Sequence, residues 1–184
     1  VAGADRASGI PHFDSKFEVE KELRRSGVPF TIVAPVFFME NFLADWMRAG
    51  IAKGSIAIAL PATRRLQQIA VEDIAQFTAL VIEGRERFLG QRIDIASDEL
   101  TNATAAAAIS EASGRHIEYT ALPIDAVRQQ NEDLARMFEW FDRVGYDADV
   151  IGLRSLYPEV TWHRFSVWAG EQDWSASAVP ATTA

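Results

Sequence analysis

Two side chains near the start of the chain have the types and spacing to do chemistry together. His12 and Lys16 lie four positions apart in Pro11-His12-Phe13-Asp14-Ser15-Lys16. At the start of a helix that spacing puts both on one face. An imidazole exchanges protons near neutral pH. A lysine ammonium is a positive charge with three hydrogen-bond donors. The remaining histidines, His116 and His163, have no partner at metal-ligand spacing and read as structural. The carboxylate pairs Glu72-Asp73 and Glu132-Asp133 are adjacent in sequence, so on a helix they do not face each other. They read as helix-start and surface charges rather than as an acid/base pair. The chain has no cysteine, which excludes disulfides, thiolate catalysis and Cys-ligated metal. No metal site is expected.

The elements that must position these groups follow from pattern. Residues 1–13 read as a loop rich in small residues, with Gly9 and Pro11. Ser15 and Glu18 have capping-box spacing, so a helix is expected from Ser15 to Ser26, with Phe17, Val19 and Leu23 apolar and Gly27 as its stop. Residues 30–36, FTIVAPV, are apolar on both sides of the pleat, as in a strand buried in a parallel sheet. The large apolar groups of VFFMENFLADWM, residues 36–47, read as a core-packing loop and helix or as a ligand-lining wall.

Further on, residues 55–60 and 64–71 look like a hairpin or two short strands. Glu72-Asp73 open a helix that runs to about Glu83. Residues 91–96 alternate as a strand, Thr101 or Asn102 caps an Ala-rich helix ending before Gly114, and residues 116–121 form a short strand. A helix is expected over 124–141, a loop over 145–149 and a short helix over 162–169. The tail after Trp174, SASAVPATTA, reads as disordered. Alternating strands and helices argue for an α/β fold with parallel strands and a small appended α+β subdomain.

Composition narrows the function. With 184 residues the chain makes one domain or a large part of one. A net charge of -8 repels phosphate backbones, which argues against nucleic-acid binding. No apolar run approaches bilayer length, so no membrane association is expected. The first residues, VAGADRASG, lack the pattern of a signal peptide, and a soluble cytoplasmic protein is the expectation. Because the chain begins with Val1 rather than Met, a piece of something longer is also expected.

Taken in order, Gly9-Ile10-Pro11-His12-Phe13-Asp14-Ser15-Lys16, Glu18-Val19-Glu20, Gly27-Val28-Pro29-Phe30-Thr31 and Pro35-Val36-Phe37-Phe38-Met39-Glu40-Asn41-Phe42 resemble the NmrA-like proteins. These are atypical members of the short-chain dehydrogenase/reductase superfamily. The resemblance continues through Ile69-Ala70-Val71-Glu72-Asp73-Ile74-Ala75 and the Met137-Phe138 segment, and covers roughly residues 1–170. It implies the C-terminal part of a Rossmann-like NAD(P)-binding domain over 1–174, with a substrate or partner subdomain. Nothing in the chain matches the glycine-rich turn that cradles pyrophosphate in this superfamily.

The resemblance also implies roles. The superfamily uses Tyr-x-x-x-Lys; here His12 stands at the Tyr position and Lys16 keeps the Lys position. His12 is thus the candidate acid/base, or a structural histidine. Lys16 is the candidate contact to the nicotinamide ribose, or a solvated lysine of the first helical turn. Pro35, Val36 and Phe37 are expected on the nicotinamide side. Phe38 and Asn41 are expected to face a substrate or partner pocket, closed by Trp140, Phe141 and Tyr146. The cofactor implied is NADP or NAD, and the function an oxidoreductase or NADP(H) redox sensor. The alternatives are a non-enzymatic regulator that binds a protein partner, and a fragment unable to hold dinucleotide that self-associates through exposed strand edges as a homo-oligomer. The small-molecule substrate is not read from the sequence.

Overall fold

A computed structural model describes residues 1–175; the expected tail, but for Ser175, lies outside the described residues. After a short 3-10 turn at Ala4–Arg6, helix α1 runs Pro11–Arg25, followed by strands β1 (Ile32–Pro35) and β2 (Phe37–Phe38). Then come a 3-10 segment at Met39–Leu43, α2 (Asp45–Ala52), β3 (Ser55–Ile58), β4 (Arg65–Ile69) and α3 (Val71–Glu83). α4 (Arg85–Phe88), β5 (Arg92–Ile95), β6 (Asp98–Thr101), α5 (Asn102–Ser113) and β7 (Glu118–Ala121) follow. The chain continues through α6 (Ile124–Gln130), α7 (Glu132–Arg143), α8 (Val150–Leu156) and α9 (Phe165–Gly170).

Helix α1 starts four residues before the expected Ser15. Pro11 occupies the first turn, where a missing N–H costs nothing and φ is already helical. Ser15 therefore caps nothing; its hydroxyl donates to the His12 carbonyl at 3.1 Å. The entry is held instead by Ser8, whose Oγ accepts the Ile10 N–H and donates to Asp14. His12 and Lys16 thus both stand on the helix. The other end is as expected: Ser26 closes the last turn and Gly27 takes φ 72°, the left-handed region glycine enters freely.

β1 pairs in parallel with β5, from Ile32 opposite Arg92 to Pro35 opposite Ile95. The Pro35 carbonyl also accepts the Ala2 N–H at 2.9 Å, so both edges of β1 have backbone partners at this end. After Val36 the chain changes sheets. β2 pairs in parallel with β4, which pairs antiparallel with β6. The segments 55–60 and 64–71 are two separate strands, not a hairpin, since β3 pairs in parallel with the distant β7.

Helix α3 packs Phe77 and Val81 inward. Phe77 is fully buried, and its ring meets those of Phe88, Tyr157 and Trp162 at 5.0–6.0 Å between centroids. This cluster also holds Val36, Ile69 and Ile95, and anchors the β1–β5 sheet. A second cluster, around Phe13, Phe37, Phe42, Phe141 and Phe165, joins α1 to α7 and α9.

Asp73, expected on the surface, is fully buried at the start of α3. Its carboxylate accepts the His163 N–H at 2.8 Å and lies 2.6 Å from the His163 Nδ1. The expected helix over 124–141 breaks at Asn131, whose extended backbone starts α7 and whose Oδ1 accepts the Leu134 N–H at 3.0 Å. Thr101, one of the two expected caps, accepts the Thr104 N–H and starts α5.

Candidate functional site

A cavity of about 750 Å³ opens between α1, the β1–β2 junction and the α6–α7 pair. It sits beyond the C-terminal end of parallel strand β1, where open α/β sheets bind ligands. Its floor is Pro35, Val36, Phe37 and Phe38. Chain direction explains this floor: at Val36 the strand leaves one sheet and Phe37 enters the next, so consecutive residues face the opening. Most of the wall is apolar, including Ile58, Leu134, Met137 and Phe138. Polar groups are few: His12, Lys16, Asn41, Gln130, Asn131 and Tyr146.

The structure brings together His12, Lys16, Pro35, Val36, Phe37, Phe38, Asn41, Phe141 and Tyr146 on this one wall. Trp140 is not on it. Its ring lies behind, packed edge-on against Phe13, Phe141 and Tyr146. Gly3, at φ 74°, lies flat on the indole; a Cβ there would fall 2.6 Å from the ring. Trp140 therefore supports the wall from the protein side.

Lys16 stands one turn beyond His12. It is exposed and makes no ion pair or hydrogen bond among the described residues. His12 is held differently. Its Nδ1 contacts the Asp133 carboxylate, which also accepts the His12 backbone N–H at 3.3 Å. Asp133 sits in the first turn of α7, so the contact ties α7 to α1 across the cavity mouth. The His12 Nε2 has no partner among the described residues, and the ring forms part of the wall.

Tyr146 has the most displaced phenol in the site. Burial pushes its proton affinity far above the ordinary phenol value, and the nearby Asp94 carboxylate adds to it. The ring retains some surface on the cavity, but Trp140 and Phe141 enclose its other sides. It is a neutral donor under ordinary conditions. Behind it, Arg92 on β5 contacts Asp94 and pairs with Glu20 of α1 at 2.9 Å. Burial raises the Asp94 carboxyl above the usual carboxylate range, with Arg92 opposing.

Sequence reasoning missed Asp133, along with Gln130 and Asn131. Each depends on the break between α6 and α7. The available signal was Asn131 itself, a strong N-cap residue two positions before Asp133.

A sequence profile of the NmrA-like family matches residues 3–173, and the chain belongs to that family. An NAD(P)H azoreductase of Xenophilus azovorans is 31% identical over 146 residues, covering 68% of this chain and 49% of that protein. An NADPH-dependent quinone oxidoreductase of Escherichia coli, solved with NADPH, superposes with a TM-score of 0.73 at 22% identity, over 92% of this chain and 62% of that one. NmrA, a negative transcriptional regulator solved with NADP, superposes with a TM-score of 0.64 at 20% identity, over 86% of this chain and 60% of that one. The fold is thus the Rossmann-like α/β fold of these structures. The chain spans about half the length of the azoreductase and about three fifths of the two solved structures.

Proposed function

We propose that the protein is an NAD(P)H-dependent reductase that transfers hydride to a small, apolar, conjugated acceptor. The observation that carries this reading is the cavity itself: a largely apolar space at the end of β1, with a free lysine at its edge. A dihydronicotinamide is uncharged and flat, and the Pro35–Phe37 floor suits it. Lys16 supplies a donor for its ribose hydroxyls. The described residues offer no comparable cradle for a pyrophosphate, so the fit is to the nicotinamide end of the cofactor. When bound, the dihydronicotinamide supplies a hydride. The chain's own residues hold it against the floor, exclude water with Phe37, Phe38 and Phe138, and present Asn41 and Tyr146 as polar contacts.

The acceptor class follows from the same wall. Phenylalanine rings and methyl groups with few donors favour a flat molecule without net charge. The named activities of the azoreductase and the quinone oxidoreductase are in keeping with such acceptors. The choice between NADP and NAD is left to measurement.

A second reading has its own support. His12 replaces the tyrosine of the superfamily pattern, and one structural relative is a transcriptional regulator solved with NADP. In this reading the protein binds the cofactor as a redox sensor and signals to a protein partner. One experiment separates the two. NADPH and NADH are titrated into the full-length polypeptide by dihydronicotinamide fluorescence, and cofactor oxidation is then followed with menadione and an azo dye. Binding with turnover supports the reductase; tight binding without turnover on any flat acceptor supports the sensor; no binding of either cofactor overturns both.

A further inference from the structure

The contact between His12 and Asp133 points beyond cofactor binding. We infer that Asp133 is a positioning residue that fixes His12 as the proton donor to the reduced acceptor; this rests on the reductase reading above. A hydride leaves the acceptor one proton short, and a positioned acid speeds its delivery.

Three observations select His12. It lies one turn from Lys16 on the same helix, and both line the cavity. The Asp133 carboxylate takes the Nδ1 side of the ring and also the His12 backbone N–H, so ring and carboxylate are fixed relative to each other. The Nε2 is the nitrogen left without a protein partner among the described residues. A carboxylate that accepts from Nδ1 dictates the tautomer, leaving Nε2 as the nitrogen through which a proton is passed. The other titratable side chains on this wall are Lys16 from α1 and Tyr146 from the loop after α7, and Asp133 of α7 meets His12 from beside it. Tyr146 is the poorer donor, because burial binds its proton too tightly. Asp14, also on α1, is occupied by Ser8.

The step balances. As hydride from the dihydronicotinamide reaches one end of the acceptor's conjugated system, the heteroatom at the other end takes the Nε2 proton. His12 becomes neutral with Nδ1–H still on Asp133, and solvent returns the proton. Per turnover, one hydride and one proton enter the acceptor, and the cofactor is oxidised by two electrons.

The placement of Asp133 has a consequence. It belongs to α7, which carries Leu134, Met137, Phe138 and Phe141 into the cavity. The helix that holds the His12 ring thus also supplies much of the apolar wall.

The test uses the full-length protein, NADPH and menadione. His12→Gln is expected to lower kcat by about 100-fold or more, the usual scale of general acid catalysis, and to flatten its pH profile. Asp133→Asn is expected to lower kcat by about 10-fold and leave KM for NADPH unchanged. Nitrogen NMR supplies a readout independent of turnover: the neutral His12 ring carries its proton on Nδ1 in the wild type and shifts toward the Nε2 tautomer in Asp133→Asn. An active Asp133→Asn with wild-type kcat or wild-type tautomer overturns the inference and leaves the reductase reading standing. A wild type that neither binds nor oxidises NADPH overturns the reading and the inference with it.

Discussion

Two histidine–aspartate pairs tie distant parts of this chain, and they sit in opposite surroundings. Asp73 and His163 join the start of α3 to the segment before α9, with side-chain exposures of 0% and 7%. His12 and Asp133 join α1 to α7 with 39% and 34% exposed. In each, the carboxylate takes both an imidazole Nδ1 and the same residue's backbone N–H. The chemistry is shared and the surroundings divide the roles. The buried pair has no room for a ligand and satisfies polar groups that would otherwise be orphaned. In the half-exposed pair the His12 ring lines the cavity, and its Nε2 has no partner among the described residues. An identical pair of side chains is a buried clasp in one place and a half-exposed contact beside a cavity in the other.

The sharpest way to break this contrast is to cut the buried pair. Asp73→Ala leaves the His163 N–H and Nδ1 without their partner in a buried site. It is expected to cost about 3–5 kcal/mol in urea unfolding, the scale for removing one member of a buried pair. Asp133→Ala removes the same interaction at the cavity mouth, where water replaces it. Its expected cost is about 0–1 kcal/mol. Equal losses would erase the distinction drawn here.

A smaller effect comes from the cavity wall. Tyr146 holds its proton more tightly in the folded protein than an ordinary phenol, chiefly through burial. Its contribution is fully present below the ordinary phenol range. It is lost as pH rises past about 10, because the unfolded chain then releases a proton that the folded one retains. Tyr146→Phe should therefore show a shallower loss of stability above about pH 10 than the wild type in denaturation followed against pH. A wild-type slope in that variant would contradict the assignment.

The comparison also shows which features sequence could reveal. The strand over 30–36 was legible because an unbroken apolar run has few alternatives in an α/β chain, and Pro35–Phe37 at its end follow directly. His12 and Lys16 stand out through the resemblance, and the structure puts both on the cavity wall. The start of α1 was not legible, because Ser15 and Glu18 mimic a cap while Pro11, at a true first turn, was read as a loop residue. Asp73 and Asp133 look like surface charges in the sequence because each owes its environment to a partner about 90 or 120 residues away. Helix α8 and strand β6 are short, and tertiary contacts rather than local pattern make them. Trp140 was counted among pocket aromatics, yet helical periodicity alone does not say which side of the wall a ring occupies.

The central claim is that the cavity at the end of β1 holds a dihydronicotinamide with Lys16 on its ribose. The most direct measurement is calorimetric titration of NADPH into the full-length polypeptide and into Lys16→Ala. The account predicts saturable binding to the wild type and about a tenfold weaker affinity for the variant, the size of one lost charge-assisted hydrogen bond. Equal affinity in the two, with both proteins folded, would place the cofactor elsewhere and contradict it.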